Sequence, residues 1–158
     1  MPVPLADLVE TWKDLRAASG RIAKRDRLGR LFASLDTPDL ILAAHYLSGD
    51  LAREAPGVGW ALVAEALGAS TAAQAPSLAA ADLDRTIAAL GEAAGPGSIR
   101  ARVQILASLL SAATPDEREF VAALLIGELR QGALRSLVLD ALAPILGAKS
   151  AALWRAVM

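Results

Sequence analysis

The sequence predicts an all-α fold, a compact bundle of about eight helices in one domain. Alanine and leucine dominate the 158 residues while aromatics make up 4%, and this composition favours packed helices over sheets. Apolar residues recur at helical spacing along most of the chain. At 54% hydrophobic residues the chain is long enough to bury a sizeable core. The longest charge-free stretch is too short to span a membrane.

Local signals place four helices in the first half of the chain. The first is predicted to begin at Pro4 and to end at Ser19 and Gly20. A second follows over about residues 21–35, with Ile22 turned toward the core and its basic side chains solvated. Thr37 is predicted to cap a third that runs toward residue 49. After the loop APGVGW, a short helix covers residues 60–67.

Four further helices are predicted after the unpatterned segment ASTAAQAPS. The first covers about residues 79–94, and the second is capped by Ser98 and carries Ile99 on its apolar stripe. Thr114 and Glu117 have capping-box spacing, which predicts a helix from Pro115 to about residue 129. The last long helix is perturbed by proline at 144 and closes near residue 147, before a short segment capped at residue 150.

Charge is segregated along the chain although the net charge is only −1. Residues 12–30 hold seven cations and two anions, a local balance of +5. Residues 97–102 and 130–135 each carry two arginines and no anion. A cationic patch of this kind on an acidic body can steer a polyanion.

The residues that catalysis or metal binding require are missing from the sequence. There is no cysteine and a single histidine, His45, in an apolar helical run typical of a core or boundary position. The carboxylate pairs lie near predicted helix starts, where the helix dipole explains them. No glycine-rich segment has the lysine and hydroxyl spacing of a phosphate loop. A free-standing small enzyme is therefore the least supported reading.

One local pattern occurs three times, namely small residues and an arginine at a helix junction. The three segments are SGR at 19–21, GSIR at 97–100 and RQG at 130–132. Backbone N–H groups at such junctions can approach a phosphate. No aromatic residues interleave with the cations, which disfavours single-strand binding, and no recognition helix is evident. The pattern therefore indicates sequence-independent backbone contact, while a helical scaffold for partner proteins stays an alternative.

The ordered segments SGRIAKRDRLGRLFASL, YLSGDL, GVGW and GPGSIRARVQILASLLSAATPDEREFVAALLIGELRQGALRSLVLDALA resemble the N-terminal DNA-binding domain of ATP-dependent DNA ligases. The similarity covers about residues 5–150 and is greatest to the bacterial ATP-dependent DNA ligase B branch. It implies a helical bundle of two similar lobes, about 1–68 and 78–150 with 69–77 between them. Such a domain straddles the minor groove of nicked double-stranded DNA and grips phosphates without reading sequence.

The resemblance implies DNA contacts at three loops. Loop one comprises Ser19, Gly20, Arg21 and Lys24; loop two Gly97, Ser98, Arg100 and Arg102; and loop three Arg130, Gln131, Gly132, Leu134 and Arg135. Pro96 stands where relatives often have a lysine, which removes one expected cation from loop two. Gln131 stands where many relatives have a branched apolar residue, and glutamine is compatible with contact to backbone or sugar.

Ligation in this family also implies domains that the chain does not contain. An adenylation domain with a Lys-x-Asp-Gly motif and an OB-fold domain are the expected partners, and ATP and Mg²⁺ belong to them. Lys24 opens a partial match to that motif, but the glycine is absent and the segment indicates a basic helix face. The expectation is a monomeric, cofactor-free, catalytically inactive domain of a larger cytoplasmic bacterial ligase that acts in DNA repair and replication.

Overall fold

Eight α-helices account for most of the computed structural model, which describes residues 1–55, 57–129 and 132–147. Within these ranges the only β-type pairing is one isolated bridge, so the predicted all-α class is confirmed. The helices are α1 (Leu5–Ala17), α2 (Arg21–Ala33), α3 (Thr37–Leu47), α4 (Trp60–Gly68), α5 (Ala80–Glu92), α6 (Ser98–Ser111), α7 (Pro115–Leu125) and α8 (Gly132–Leu146).

One hydrophobic cluster receives side chains from all eight helices. The most extensive helix pairings are α2 with α8 and α4 with α6, and each joins the first half of the chain to the second. Leucine and alanine supply most of the buried surface, as the composition predicts. The division into lobes 1–68 and 78–150 stays a prediction, and the core runs continuously through both ranges.

The N-terminal segment ties the beginnings of α3 and α5 together. The Val3 N–H donates to Oδ2 of Asp39 at 2.9 Å, and the Val3 carbonyl accepts from the Ala80 N–H at 3.0 Å. The Leu5 N–H donates to the Leu78 carbonyl at 2.8 Å. Asp39 is almost fully buried, so its carboxylate depends on the Val3 N–H for satisfaction.

Packing between α1 and α7 combines an aromatic pair with charged contacts at its rim. The rings of Trp12 and Phe120 meet edge to face with centroids 5.4 Å apart. The Arg16 guanidinium lies 4.7 Å from the Trp12 ring centroid, and Lys13 forms an ion pair with Asp116. The aromatic pair anchors the first helix against the second half of the chain.

The capping box at α7 is confirmed, while two other predicted caps are wrong. The Thr114 N–H donates to Glu117 at 2.7 Å, and the Glu117 N–H donates to the Thr114 hydroxyl at 3.3 Å. Asp36, rather than Thr37, caps α3 by accepting from the Asp39 N–H. Asp36 is preferred to Thr37 as the cap because a carboxylate acts only as an acceptor and its negative charge is favoured at the positive end of the helix.

The cap of α6 and several helix ends also differ from expectation. Gly97 in a left-handed conformation precedes α6, so Ser98 is its first helical residue rather than its cap. Pro4 lies at the N-cap of α1, α2 ends two residues early and α7 ends before a turn at 126–129. The proline at 144 lies inside α8, which closes at residue 147 as predicted. The segment capped at residue 150 lies outside the described residues.

Two isoleucines predicted to be internal are exposed. Ile22 is 66% exposed because it lies about 120° around α2 from the buried face, at 100° per residue. Ile99 is 73% exposed although it lies on the same side of α6 as Val103. Its first-turn position carries it beyond the end of the core. Both residues therefore present apolar surface at the beginning of a helix.

A guanidinium on α7 satisfies the carbonyl ends of two other helices. Arg118 donates to the carbonyl oxygens of Leu67 at the end of α4 and Leu110 near the end of α6, each at 3.0 Å. It also donates to the carbonyl and the hydroxyl of Ser70. The Leu67 and Leu110 carbonyls otherwise accept from the turn that follows each helix, from the Ser70 N–H at 3.4 Å and the Ala113 N–H at 3.3 Å. The guanidinium adds a closer, charged donor to each and so stabilises the junction of α4, α6 and α7.

Replacing this guanidinium tests its structural role. Arg118→Ala is expected to lower the free energy of unfolding by about 2 kcal/mol, because several carbonyls lose a charged donor. Urea unfolding followed by circular dichroism measures the change. Arg85→Ala is the matched control, since Arg85 is 71% exposed and pairs with Asp82 on its own helix; its expected effect is below about 1 kcal/mol. Equal effects of the two changes would contradict the assignment.

A buried phenol lies between α3 and α5. Tyr46 is fully buried and its hydroxyl has no hydrogen-bond partner among the described residues. Burial raises the pKa of Tyr46 above its ordinary value, and the carboxylate of Asp84 raises it further. Asp84 itself accepts two hydrogen bonds from Arg53, at 2.9 and 2.8 Å.

This phenol predicts an alkaline loss of stability. A raised folded-state pKa means that the stabilisation is complete below the unfolded pKa, about 10, and is lost as pH rises above that value. The wild-type free energy of unfolding should therefore fall more steeply above about pH 10 than that of Tyr46→Phe. Urea titrations at several alkaline pH values make the comparison. If the free energy of unfolding depends on pH in the same way for both proteins, ionisation of the phenol does not affect stability.

Candidate nucleic-acid interface

Loop one is an exposed junction between α1 and α2. Gly20 has φ of +89° and precedes α2 without any side-chain cap, and Ser19 is exposed beside it. Arg21 is the first residue of α2, and Lys24 lies one turn further along. A Cβ on Gly20 would meet no atom within 4 Å, so its backbone conformation rather than space favours glycine.

Loop two has a similar construction before α6. Gly97 has φ of +80°, is exposed and provides no side-chain cap, and Ser98 begins the helix. Arg100 is exposed on the first turn. Arg102 points elsewhere: a Cβ on Gly57 would lie 2.6 Å from its Nη1, so the guanidinium packs against the backbone before α4.

Loop three is only partly described. Arg130 and Gln131 lie outside the described residues, so their predicted roles stay predictions. Gly132 begins α8, and Leu134 packs against the core while it lines a surface cleft. Arg135 is half-buried on the first turn of α8.

The beginnings of the helices fall into two electrostatic classes. Helices α1, α3, α5 and α7 each carry an acidic residue in the first turn. Helices α2, α4, α6 and α8 carry none, and each begins at or directly after a glycine, namely Gly20, Gly59, Gly97 and Gly132. The positive dipole ends of the second class therefore face no acid from their own first turn. The three predicted DNA loops all belong to this class.

Most cations of residues 12–30 form ion pairs, and Arg21, Arg25 and Arg30 are exposed on α2, as predicted for a solvated basic face. Arg27 donates to Asp14 of α1 at 2.7 Å, and Arg21 donates to Asp140 and to the Ser136 hydroxyl of α8. Further pairs join Lys13 to Asp116, Arg16 to Glu119 and Arg25 to Asp26. The carboxylates come mainly from neighbouring helices, so sequence proximity could not reveal them. Among the described residues, Lys24 and Arg30 make no ion pair.

An open cleft of about 510 Å³ brings loop one close to the beginning of α8. Lys24 and Leu134, both predicted DNA contacts, line it together with Trp12 and Trp60. The sequence pattern GVGW did not single out Trp60 as a site residue. The sequence pattern that could have indicated Trp60 is a glycine directly before a helix whose first residue is aromatic. Loops one and two likewise place a glycine directly before a helix.

Other kinds of site find no support in the described ranges. His45 is half-buried on α3, as predicted for a boundary residue. In these ranges no three His, Cys, Asp or Glu side chains are grouped in a way that could hold a metal ion. Nor does any helix there have the length and apolar character needed to cross a membrane.

Comparison with known proteins relates the chain to DNA ligases. Residues 68–143 match the family described as DNA ligase N terminus. The chain is 39% identical over 154 residues to a probable DNA ligase of Anaeromyxobacter sp. (strain Fw109-5), with 98% of the chain aligned. It is 38% identical over 154 residues to one of Beutenbergia cavernae and 39% over 156 residues to one of Saccharopolyspora erythraea.

The chain belongs to the DNA ligase N-terminal family. It spans 30% of the length of these curated relatives. The family match at 68–143 contains loop two and the first turn of α8, while the whole-chain similarity extends over loop one as well. The aligned regions therefore span the segments of all three predicted loops.

Two alanine substitutions test the backbone of loop two. Gly97→Ala is expected to destabilise the ligase domain by about 1 kcal/mol, because an L-residue is strained at φ of +80°. Gly29→Ala is the control: this glycine lies within α2 with open space around its Cβ position, so alanine should stabilise by about 0.5–1 kcal/mol. Thermal unfolding of both variants checks the opposite signs. The same sign for both would contradict the described loop.

Proposed function

We propose that this domain binds nicked double-stranded DNA through its sugar–phosphate backbone as the DNA-binding domain of an ATP-dependent DNA ligase. It grips phosphates along the minor groove without reading sequence and presents the nick for sealing in bacterial DNA repair and replication. Membership of the DNA ligase N-terminal family supports the ligase role. The finer role rests on the charges and backbone of the loops.

The observation that carries the proposal is the construction shared by loops one and two. In each, a glycine with positive φ precedes a helix that has no side-chain cap and no acid in its first turn. The first N–H groups of such a helix are available to a phosphate oxygen. Lys24 and Arg100 add cations close by that make no ion pair with described residues. Phosphate contact of this kind carries no base information.

Arg21 has a second role that phosphate binding would have to accommodate. Its Nη2 donates to both Ser136 and Asp140, which holds α2 against α8. The guanidinium has five donors, so its other nitrogens can still approach a phosphate. Arg21→Ala should therefore reduce both DNA affinity and stability, which makes it a poorer probe than Lys24→Ala or Arg100→Ala.

Sealing requires an adenylated lysine, and the proposal assigns it to another domain. Lys13 forms an ion pair with Asp116. Lys24 lies in an arginine-rich turn of α2, and the sequence after it lacks the glycine of the adenylation motif. ATP and Mg²⁺ accordingly belong to the adenylation and OB-fold domains, which are proposed as partners. This domain contributes positioning.

Salt-dependent binding tests the proposal. Fluorescence anisotropy of a labelled nicked duplex, and of an intact duplex of the same sequence, is followed as the domain is added at several salt concentrations. Lys24→Ala and Arg100→Ala should each weaken binding several-fold and reduce the log–log salt slope by about 0.9, because one phosphate contact is lost.

Arg85→Ala is the control for a general loss of positive charge, since Arg85 lies outside the three loops and pairs with Asp82. An equal effect of Arg85→Ala would mean that only net charge matters and would contradict the assigned contacts. If wild-type protein fails to bind either duplex even at low salt, the proposal is wrong and the helical scaffold becomes the better reading.

A further inference from the structure

We propose that Trp60 is an additional DNA-contacting residue whose indole packs against deoxyribose next to the phosphate contact of loop one. The inference rests on the proposed function and names a residue outside the three loops. Trp60 is the first residue of α4 and follows Gly59. Its position relative to loop one is the first argument.

Segment 57–60 adjoins loop one on one side and α6 on the other. Trp60 lines the same cleft as Lys24 of loop one and Leu134 of α8. The backbone of Gly57 lies against the guanidinium of Arg102, one turn into α6. A phosphate backbone held at Lys24 therefore lies close to the Trp60 indole.

The exposure of Trp60 is the second argument. It is 67% exposed, whereas Trp12, in the same cleft, is 6% exposed and packs on Phe120. Among the described residues, Ile22 and Ile99 are the other large apolar side chains exposed in a first helical turn, and they lie beside the residues of loops one and two. In the described ranges, helices α1, α3, α5 and α7, which carry an acidic residue in the first turn, expose no large apolar side chain in that turn.

Sugar chemistry fits this arrangement. Deoxyribose presents C–H groups between successive phosphates, so an apolar side chain beside a phosphate-binding helix end meets a sugar. An indole offers a large apolar face and one N–H donor, a combination enriched at binding hot spots. Glu119 and Glu128 also line the cleft and would repel a phosphate there, which favours an uncharged sugar as the partner of the exposed Trp60 indole.

Binding and fluorescence together test the role of Trp60. Trp60→Ala should weaken binding to the nicked duplex about tenfold at constant salt, in the range found for single aromatic contacts. The salt slope should stay as in wild type, since no charge is removed. Trp60→Phe should retain most of the affinity. Ile41→Ala is the matched control, because Ile41 is exposed on α3 away from any first turn, and it should bind as wild type.

Acrylamide quenching supplies an independent readout. Addition of the nicked duplex should protect part of the wild-type tryptophan fluorescence from quenching, and Trp60→Phe should abolish that protection. If wild type binds the duplex while Trp60→Ala binds equally well or the indole stays unprotected, the inference is overturned and the proposed function stands. If wild type does not bind, the proposed function itself fails. If Trp60→Ala weakens binding to single-stranded DNA more than binding to the duplex, the proposed contact with deoxyribose is also overturned.

Discussion

Every helix of this domain buries apolar surface against a helix from the other half of the chain, and the rest of the structure depends on that interleaving. The pairings of α2 with α8 and of α4 with α6 are the most extensive, and α1 reaches α7 through the Trp12 and Phe120 rings. Alanine-rich helices approach closely and offer few large side chains, so no half has enough apolar surface of its own. The polar ties at Asp39 and Arg118 then satisfy backbone groups at helix ends that this packing partly buries.

The helix beginnings show how a stable core and an open binding surface coexist. Helices α1, α3, α5 and α7 neutralise their positive ends with their own acids, most fully at the Thr114 and Glu117 capping box. The four others begin with glycine and leave those ends open. At α2, α4 and α6 no side chain caps the helix, and a glycine at the cap costs only roughly a few tenths of a kcal/mol relative to Ser or Asp. The proposed phosphate contacts would use these open ends.

Positive charge in this domain serves folding and the proposed binding at once. Arg27 pairs with Asp14 between α1 and α2, and Arg21 holds α2 against α8, so part of the basic segment is structural. Lys24 and Arg100 remain for an external anion. The proposed contact of Trp60 adds an apolar component, which would make affinity less dependent on salt than cations alone.

The sequence by itself determined the helical class, most helix positions and the capping box of α7, because helical spacing and capping are local properties that a few adjacent residues specify. The resemblance to ligases determined the family. Only the tertiary structure decided which cations pair with distant carboxylates, that Asp36 caps α3, and that Ile22 and Ile99 are exposed. It also placed Trp60 in the same cleft as Lys24. These features depend on how helices far apart in sequence pack, and no local pattern encodes that geometry.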